Sequence, residues 1–213
     1  MGDSGFFVSV EGLDGCGKTT QVGLLAQELA AAGRRVTVVR DPGSTALGER
    51  VRDLLLEPSG EVPMDHWAET ALFLASRLQL TAEVIRPALA EGRVVLSDRY
   101  LDSTLAYQGA RGIPWPELLD LHRRCGLNRL PDLTLVLDLP AAVALARRPI
   151  QATPDRMEQE DSSYHEQVRA GYLELAAAFP DRIVVLDARE PAAELARRCE
   201  VLVRDRLSVG RAV

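Results

Sequence analysis

Lysine is almost absent from this chain. Of its 25 basic residues 24 are arginine, and Lys18 is the single lysine among 213 residues. Aromatic residues make up 5% of the sequence, cysteines number three, and positive charge is in deficit, for a net charge of −6. Each scarcity excludes something. An acidic chain lacks the clustered positive charge that holds long nucleic acid non-specifically, so no such partner is expected, although a local basic pocket is still possible. Cys16, Cys125 and Cys199 are too widely spaced to form a disulfide framework or a zinc-ligand set. No apolar run reaches the roughly 18–20 residues of a membrane helix, so no membrane partner is expected. The first twelve residues, MGDSGFFVSVEG, carry no basic leader and run directly into a strand pattern. Phe6 stands where an N-myristoylation signal wants Ser or Thr. These readings together point to the cytoplasm.

The remaining composition, 46% apolar and 26% charged, is that of a globular protein, and the length suits one domain over 1–213. Five short, continuous, β-branched runs stand out: FFVSV (6–10), RVTVV (35–39), RVVLS (93–97), DLTLVLDL (132–139) and RIVVLDA (182–188). Runs of this kind are buried on both faces, as in a parallel sheet covered by helices. Helical patterns separate them, at 19–33, 49–57, 66–92 with a kink at Pro87, 102–108, 116–125, 141–148, 160–178 and 191–207. The expected fold is α/β, with about five parallel strands flanked by helices. The least regular stretch, RRPIQATPDRMEQE (147–160), is a candidate short lid.

The stretch EGLDGCGKTT (11–20) lies between the first strand and the first helix. Gly12, Gly17, Lys18 and Thr19 fit the phosphate-binding pattern G-x4-G-K-[ST], and strand and helix stand where that pattern requires them. Backbone N–H groups of the turn and the helix start would face the phosphates. Lys18 would bridge the outer phosphates, and the Thr19 hydroxyl would hold Mg2+. The single lysine of the chain therefore falls where the motif demands one. Two features are unusual: an acid, Asp14, sits inside an anion-binding loop, and the loop offers only one cation. GTPases of this superfamily read guanine with an Asn-Lys-x-Asp segment, which a chain without a second lysine does not contain.

Later motifs narrow the class. VLSDRY (95–100) followed by LDSTLAYQG (101–109), VVRDPGST (38–45), LFLASRLQL (72–80) and PDRMEQED (154–161) resemble thymidylate kinases over nearly the whole chain. That resemblance implies a P-loop nucleoside monophosphate kinase-like fold and ATP-Mg2+-dependent phosphorylation of dTMP to dTDP. It also implies a homodimer in which the helices of 66–92 pack together. For ATP it implies Gly12, Gly15, Gly17, Lys18, Thr19, Thr20 and Arg147. For Mg2+ it implies Thr19 and Asp98. For dTMP it implies Arg40, Arg52 and Arg99 on the phosphate, Phe73, Arg77, Thr104 and Gln108 on the base, and Tyr107 beside the sugar. Asp14 would accept from the sugar 3'-hydroxyl.

The bare residues leave other readings open. By spacing alone Phe73 and Arg77 read as a core ring and a surface guanidinium, while a surface helix arginine is the alternative for Arg52 and a helix cap the alternative for Asp98. Asp41 and Ser44 depart from the family's Arg-Glu-Pro-Gly-Gly loop. The transition-state arginine that some members carry inside the phosphate loop is replaced here by Gly15 and Cys16. Others supply it from the lid, where Arg147, Arg148 and Arg156 are available, Arg156 being favoured over Arg148 and Arg147 the weakest; Lys18, Asp98, Arg99, Arg148 and Arg156 are the catalytic candidates. A kinase for another nucleoside or nucleoside monophosphate, or a non-catalytic ATP-binding switch, would share the phosphate loop.

Overall fold

The computed structural model describes residues 5–58, 63–147 and 155–209. Five strands form one sheet: β1 (Phe6–Glu11), β2 (Val36–Arg40), β3 (Val94–Asp98), β4 (Leu133–Asp138) and β5 (Ile183–Asp187). Their order is β2-β3-β1-β4-β5 and every pairing is parallel. Phe7, Val8, Val10, Val95, Leu96 and Leu135 are fully buried, as continuous apolar strands between two helical layers must be.

The chain leaves β1 for β2 on one side and later crosses to β4 on the other. The switch in direction lies at β1, where open α/β sheets bind ligands beyond the strands' carboxyl ends. Register brings those ends together. Val10 and Arg40 both lie opposite Asp98, and Asp138 lies opposite Asp187.

The helices are α1 (Lys18–Ala31), α2 (Ala46–Leu56), α3 (His66–Leu80), α4 (Arg86–Ala90), α5 (Leu101–Ala110), α6 (Trp115–Arg124), α7 (Ala141–Ala146), α8 (Ser162–Ala178) and α9 (Ala192–Val209). Side chains fix several starts: Thr45 accepts from the Gly48 N–H, Asp65 from those of Trp67 and Ala68, and Asp161 from that of Tyr164. The helix expected over 66–92 is interrupted. A π-helical turn, Thr81–Ile85, joins α3 to α4, and the Arg86 N–H reaches back to the Thr81 carbonyl. Pro87 explains it: proline has no N–H, and its ring would strike the carbonyl four residues earlier, which a locally wider helix relieves. Helices α5 and α8 approach closely, and a side chain at Gly171 would come within 3.3 Å of the Ala106 backbone.

Candidate functional site

The phosphate loop takes its shape from glycine. Gly12 has φ +134°, and a Cβ there would lie 2.6 Å from the Leu137 carbonyl oxygen. Gly15 has φ +85°, and a Cβ there would strike the Ala144 carbonyl. These close approaches seat the loop against β4 and α7. Helix α1 starts directly after Gly17 with no acid in its first turn, so no side chain cancels its positive end. Lys18 is buried. Its Nζ donates to the Leu13 carbonyl at 2.8 Å and lies 3.4 Å from Asp14 Oδ1.

Thr19 Oγ1 donates to Asp98 Oδ2 at 2.6 Å, joining the start of α1 to the end of β3. A hydroxyl and a carboxylate make an oxygen-only pair. That suits Mg2+, which takes one or two protein ligands and fills its shell with phosphate oxygens and water. Among the described residues no cluster of three or more His, Cys, Asp or Glu could form an all-protein cage.

Two clefts open at the strand ends. The first is lined by Gly15, Gly17, Lys18, Thr19, Thr20 and Asp98, with Arg40 and Ser44 on its rim. The second is lined by Phe73, Arg77, Ser103, Tyr107, Gln108 and Met157. Asp14, Asp41, Arg52 and Arg99 belong to both, so the clefts meet across two acids and two arginines. Burial, together with the nearby Arg40 and Arg99 cations, pushes the Arg52 pKa down. An anion bound at this junction would relieve that repulsion.

Arg99 stands at the centre. It follows β3 with φ +68°, which turns its side chain back over the phosphate loop. Nη1 donates to the Gly12 carbonyl and to Ser103 Oγ, each at 3.0 Å. Nη2 donates to Asp14 Oδ1 at 2.5 Å and to the Tyr107 hydroxyl at 3.1 Å. Burial opposes this cation, but Asp14 and other neighbours raise its pKa well above the usual value.

Behind Arg99 lies Glu11, the fully buried last residue of β1. It accepts from Ser9 Oγ at 2.5 Å, the Tyr100 N–H at 2.7 Å, Ser103 Oγ at 2.6 Å and the Tyr172 hydroxyl at 3.2 Å. Burial raises its carboxyl above the ordinary range, and Asp102 adds to the rise. Tyr107 is buried and its phenol is pushed up, so it stays a neutral donor, here to Asp14 Oδ2 at 3.2 Å.

Arg77 is not a surface guanidinium. It is 1% exposed, and its Nε donates to Asp41 Oδ2 at 2.5 Å. Nη1 contacts His122 Nε2 at 2.7 Å, and Nη2 donates to Thr104 Oγ1 at 2.8 Å and to the Tyr100 carbonyl at 3.3 Å. His122 Nδ1 lies 2.6 Å from the Leu118 carbonyl, to which it donates, leaving Nε2 to accept from Arg77. Burial, with Arg77 next, lowers the His122 pKa to about 3, so the ring is neutral. Thr104 therefore stands behind Arg77 rather than on the cavity wall, whereas Phe73 and Gln108 line the cavity directly.

Asp41 is paired with Arg77 of the second cleft, and burial raises its carboxyl despite that pairing. Ser44 takes φ +61°, and its hydroxyl accepts from the Arg40 N–H at 2.8 Å, so the serine is accommodated where the family loop has glycine. Arg40 reaches Glu49 at 2.8 Å, and Arg52 donates to the Pro42 carbonyl at 3.1 Å.

Of the lid arginines, Arg147 and Arg156 are among the described residues. Arg148 and the core of the expected lid fall outside the described residues. Arg147 Nη1 donates to the Ala188 carbonyl at 2.9 Å, beside the turn after β5, and Gln21 of α1 donates to the Ala192 carbonyl at 2.9 Å. Arg156 is docked away from the phosphate loop. Its Nε donates to the Leu55 carbonyl at 3.0 Å, and its Nη2 bonds Glu69. Cys16 is buried and burial raises its thiol pKa, so it fills space inside the loop.

Sequence reasoning missed Glu11, Glu69, His122 and Tyr172, and it assigned no partner to Asp41. Glu69 had a signal, being four residues before Phe73 and eight before Arg77 on one helix. Glu11 had a weaker one, as an acid ending an apolar strand.

A parallel sheet switching direction at a phosphate loop, with an arginine-lined second cleft meeting the first, defines a P-loop phosphotransferase of nucleoside monophosphate kinase type. The family model for thymidylate kinase matches residues 10–198. A thymidylate kinase of Deinococcus radiodurans is 47% identical over 203 residues, covering 95% of this chain and 98% of that protein. One of Desulforudis audaxviator is 46% identical, covering 97% and 96%. The crystal structure of thymidylate kinase from Ehrlichia chaffeensis superposes with a TM-score of 0.77 at 27% identity, covering 94% of this chain and 99% of that one. The chain belongs to the thymidylate kinase family.

Proposed function

We propose that this chain phosphorylates dTMP to dTDP with ATP as donor, in dTTP synthesis. One observation carries the reading: the phosphate-loop cleft and the Phe73–Arg77–Gln108 cleft share Asp14, Asp41, Arg52 and Arg99. A γ-phosphate held by the first thus abuts an acceptor phosphate held by the second. The acceptor oxygen attacks the γ-phosphorus in line, with ADP leaving and no covalent intermediate, and positioning and charge stabilisation supply the catalysis.

Lys18 and the N–H groups of Gly12, Gly15, Gly17, Thr19 and Thr20 hold the ATP phosphates, and Arg147 completes the ATP contacts. Thr19 and Asp98 would hold Mg2+, which when bound neutralises phosphate charge. Arg99, Arg52 and Arg40 receive the dTMP phosphate. Phe73 stacks on thymine, Arg77 donates to its O4, and Gln108 meets its edge, with Thr104 steadying Arg77. Tyr107 stands at the sugar, where it disfavours a 2'-hydroxyl, and Asp14 accepts from the 3'-hydroxyl. The transition-state cation comes from the lid, from Arg148 or from Arg156, the latter after leaving Glu69.

The reading takes 1–213 as one kinase domain with its lid at about 147–160, working in the cytoplasm as a homodimer. Leu47, Leu54 and Trp67, left exposed on α2 and α3, support the dimer. Coupled ADP release with dTMP, dUMP, dCMP, dGMP and AMP as acceptors tests the function. dTMP should give the highest kcat/KM. A different best acceptor would replace this substrate, and tight ATP binding without turnover would make the chain a switch.

A further inference from the structure

Glu69 touches both Gln108 of the cavity wall and the lid residue Arg156. It is 1% exposed on α3. Its Oε1 accepts from Gln108 Nε2 at 2.9 Å and from Arg111 Nε at 3.1 Å, and its Oε2 accepts from Arg156. Arg111 continues to Glu160 at 2.8 Å. A carboxylate between two guanidinium groups only accepts hydrogen bonds. It admits the NH2 end of the Gln108 carboxamide and repels the carbonyl end. A flipped amide would face oxygen against oxygen in a buried setting.

The other end of that amide is unsatisfied. Gln108 is 1% exposed, its Oε1 is buried without a partner, and the residue lines the cavity with Phe73 and Arg77. A buried carbonyl left without a donor is unfavourable unless a ligand supplies one. Thymine and uracil carry an N–H donor at N3, whereas cytosine carries a bare acceptor there.

We propose that Glu69 is a specificity-determining positioning residue. By accepting from Gln108 it holds the carboxamide oxygen toward the bound pyrimidine, so that the site selects an imide N–H and rejects cytosine. The inference rests on the reading of this cavity as the dTMP site. It differs from a packing role because it concerns one amide orientation, and so one ratio of substrates.

Glu69→Gln is the direct test. Its new NH2 can face Gln108 Oε1 once Arg111, which also shares that oxygen, turns fully to Glu160, so both orientations of Gln108 become available. Steady-state kcat/KM is read for dTMP, dUMP and dCMP with the full chain. The dTMP:dCMP preference should fall by about tenfold, the worth of one hydrogen bond, while dTMP:dUMP stays constant. A packing defect would lower all three together, and a dTMP:dCMP ratio kept within about twofold of wild type would overturn the proposal.

Should the variant fail to fold, wild-type protein gives the answer by 15N NMR, with Gln108→Leu identifying the Gln108 side-chain NH2 signal. Protons held by Glu69 should exchange slowly with and without dTMP. Exchange as fast as for a surface glutamine would overturn the proposal. Wild-type protein that ignores dTMP would sink the functional reading instead, and the ligand-free exchange rate would still decide the orientation of Gln108.

Discussion

Arg77→Met removes the guanidinium and keeps most of the side chain's length. The structure says what is left behind: an Asp41 carboxylate that is 1% exposed, with Oδ1 already unpartnered and Oδ2 now losing its 2.5 Å donor. Burial already holds the Asp41 pKa above its ordinary value, and Arg77 is the strongest influence pulling it back. Breaking such a pair from one side costs about 3–5 kcal/mol, because the surviving charge stays buried. In a chain of this size that lowers Tm at pH 7 by roughly 6–20 °C.

The sign with pH is fixed as well. A carboxyl whose folded pKa lies above its unfolded value, about 3.9, favours folding below that value. That contribution is lost as pH rises through the folded pKa. Removing Arg77 raises the folded value further. The gap in Tm between variant and wild type should therefore be widest near pH 8 and should narrow as pH falls toward 4. Differential scanning fluorimetry across that range is the assay. A gap that stays constant from pH 5 to 8, or a variant as stable as wild type, would refute the buried-pair reasoning. In the folded fraction, losing the charged donor proposed for O4 should reduce kcat/KM for dTMP by about 10–150-fold.

Three further outcomes follow from the geometry. Gly15→Ala places a methyl group against the Ala144 backbone carbonyl at φ +85°, where neither side can give way. The displaced loop should lower kcat/KM for ATP by at least about 10²-fold, and near-normal kinetics would show that the loop is not seated there. Glu11→Gln removes a carboxyl whose pKa burial raises, so wild type loses that group's stability as pH rises through the folded value. The variant should therefore gain on wild type between pH 4 and pH 8, as read by urea unfolding, and a difference in the opposite direction would contradict the assigned burial. Cys125 is exposed, whereas Cys16 and Cys199 are buried with thiols pushed up by burial, that of Cys199 to about 12. Native protein should accordingly alkylate at Cys125 alone, and rapid labelling of Cys16 would mean an opened phosphate loop.

The strands were legible because a parallel sheet buried on both faces leaves uninterrupted β-branched runs, and all five lie within a residue or two of the expected places. The phosphate loop was legible because glycine, lysine and threonine have fixed spacing there. The break in the 66–92 helix was legible as Pro87 but not as a π turn, since relief can come before the proline as easily as at it. The acceptor side was legible only through resemblance. By spacing alone Arg77 reads as a surface residue, because what buries it, Asp41 and His122, lies 36 and 45 residues away. Glu11 and Glu69 carry no local pattern that separates a buried hub from a solvated acid. Their partners, Tyr172 and Arg156, are 161 and 87 residues distant. The docking of Arg156 on Glu69 likewise has no local signature, because it depends on how the end of the lid folds back onto α2 and α3.

The central claim is direct transfer of the ATP γ-phosphoryl group to dTMP across the junction of the two clefts. The stereochemical course tests it most directly. ATP made chiral at the γ-phosphorus is turned over with dTMP, and the configuration at the β-phosphorus of the resulting dTDP is read by 31P NMR. Inversion is the result expected of a single in-line transfer. Retention, which requires an enzyme-bound phosphoryl intermediate, or the absence of labelled dTDP, would contradict the account.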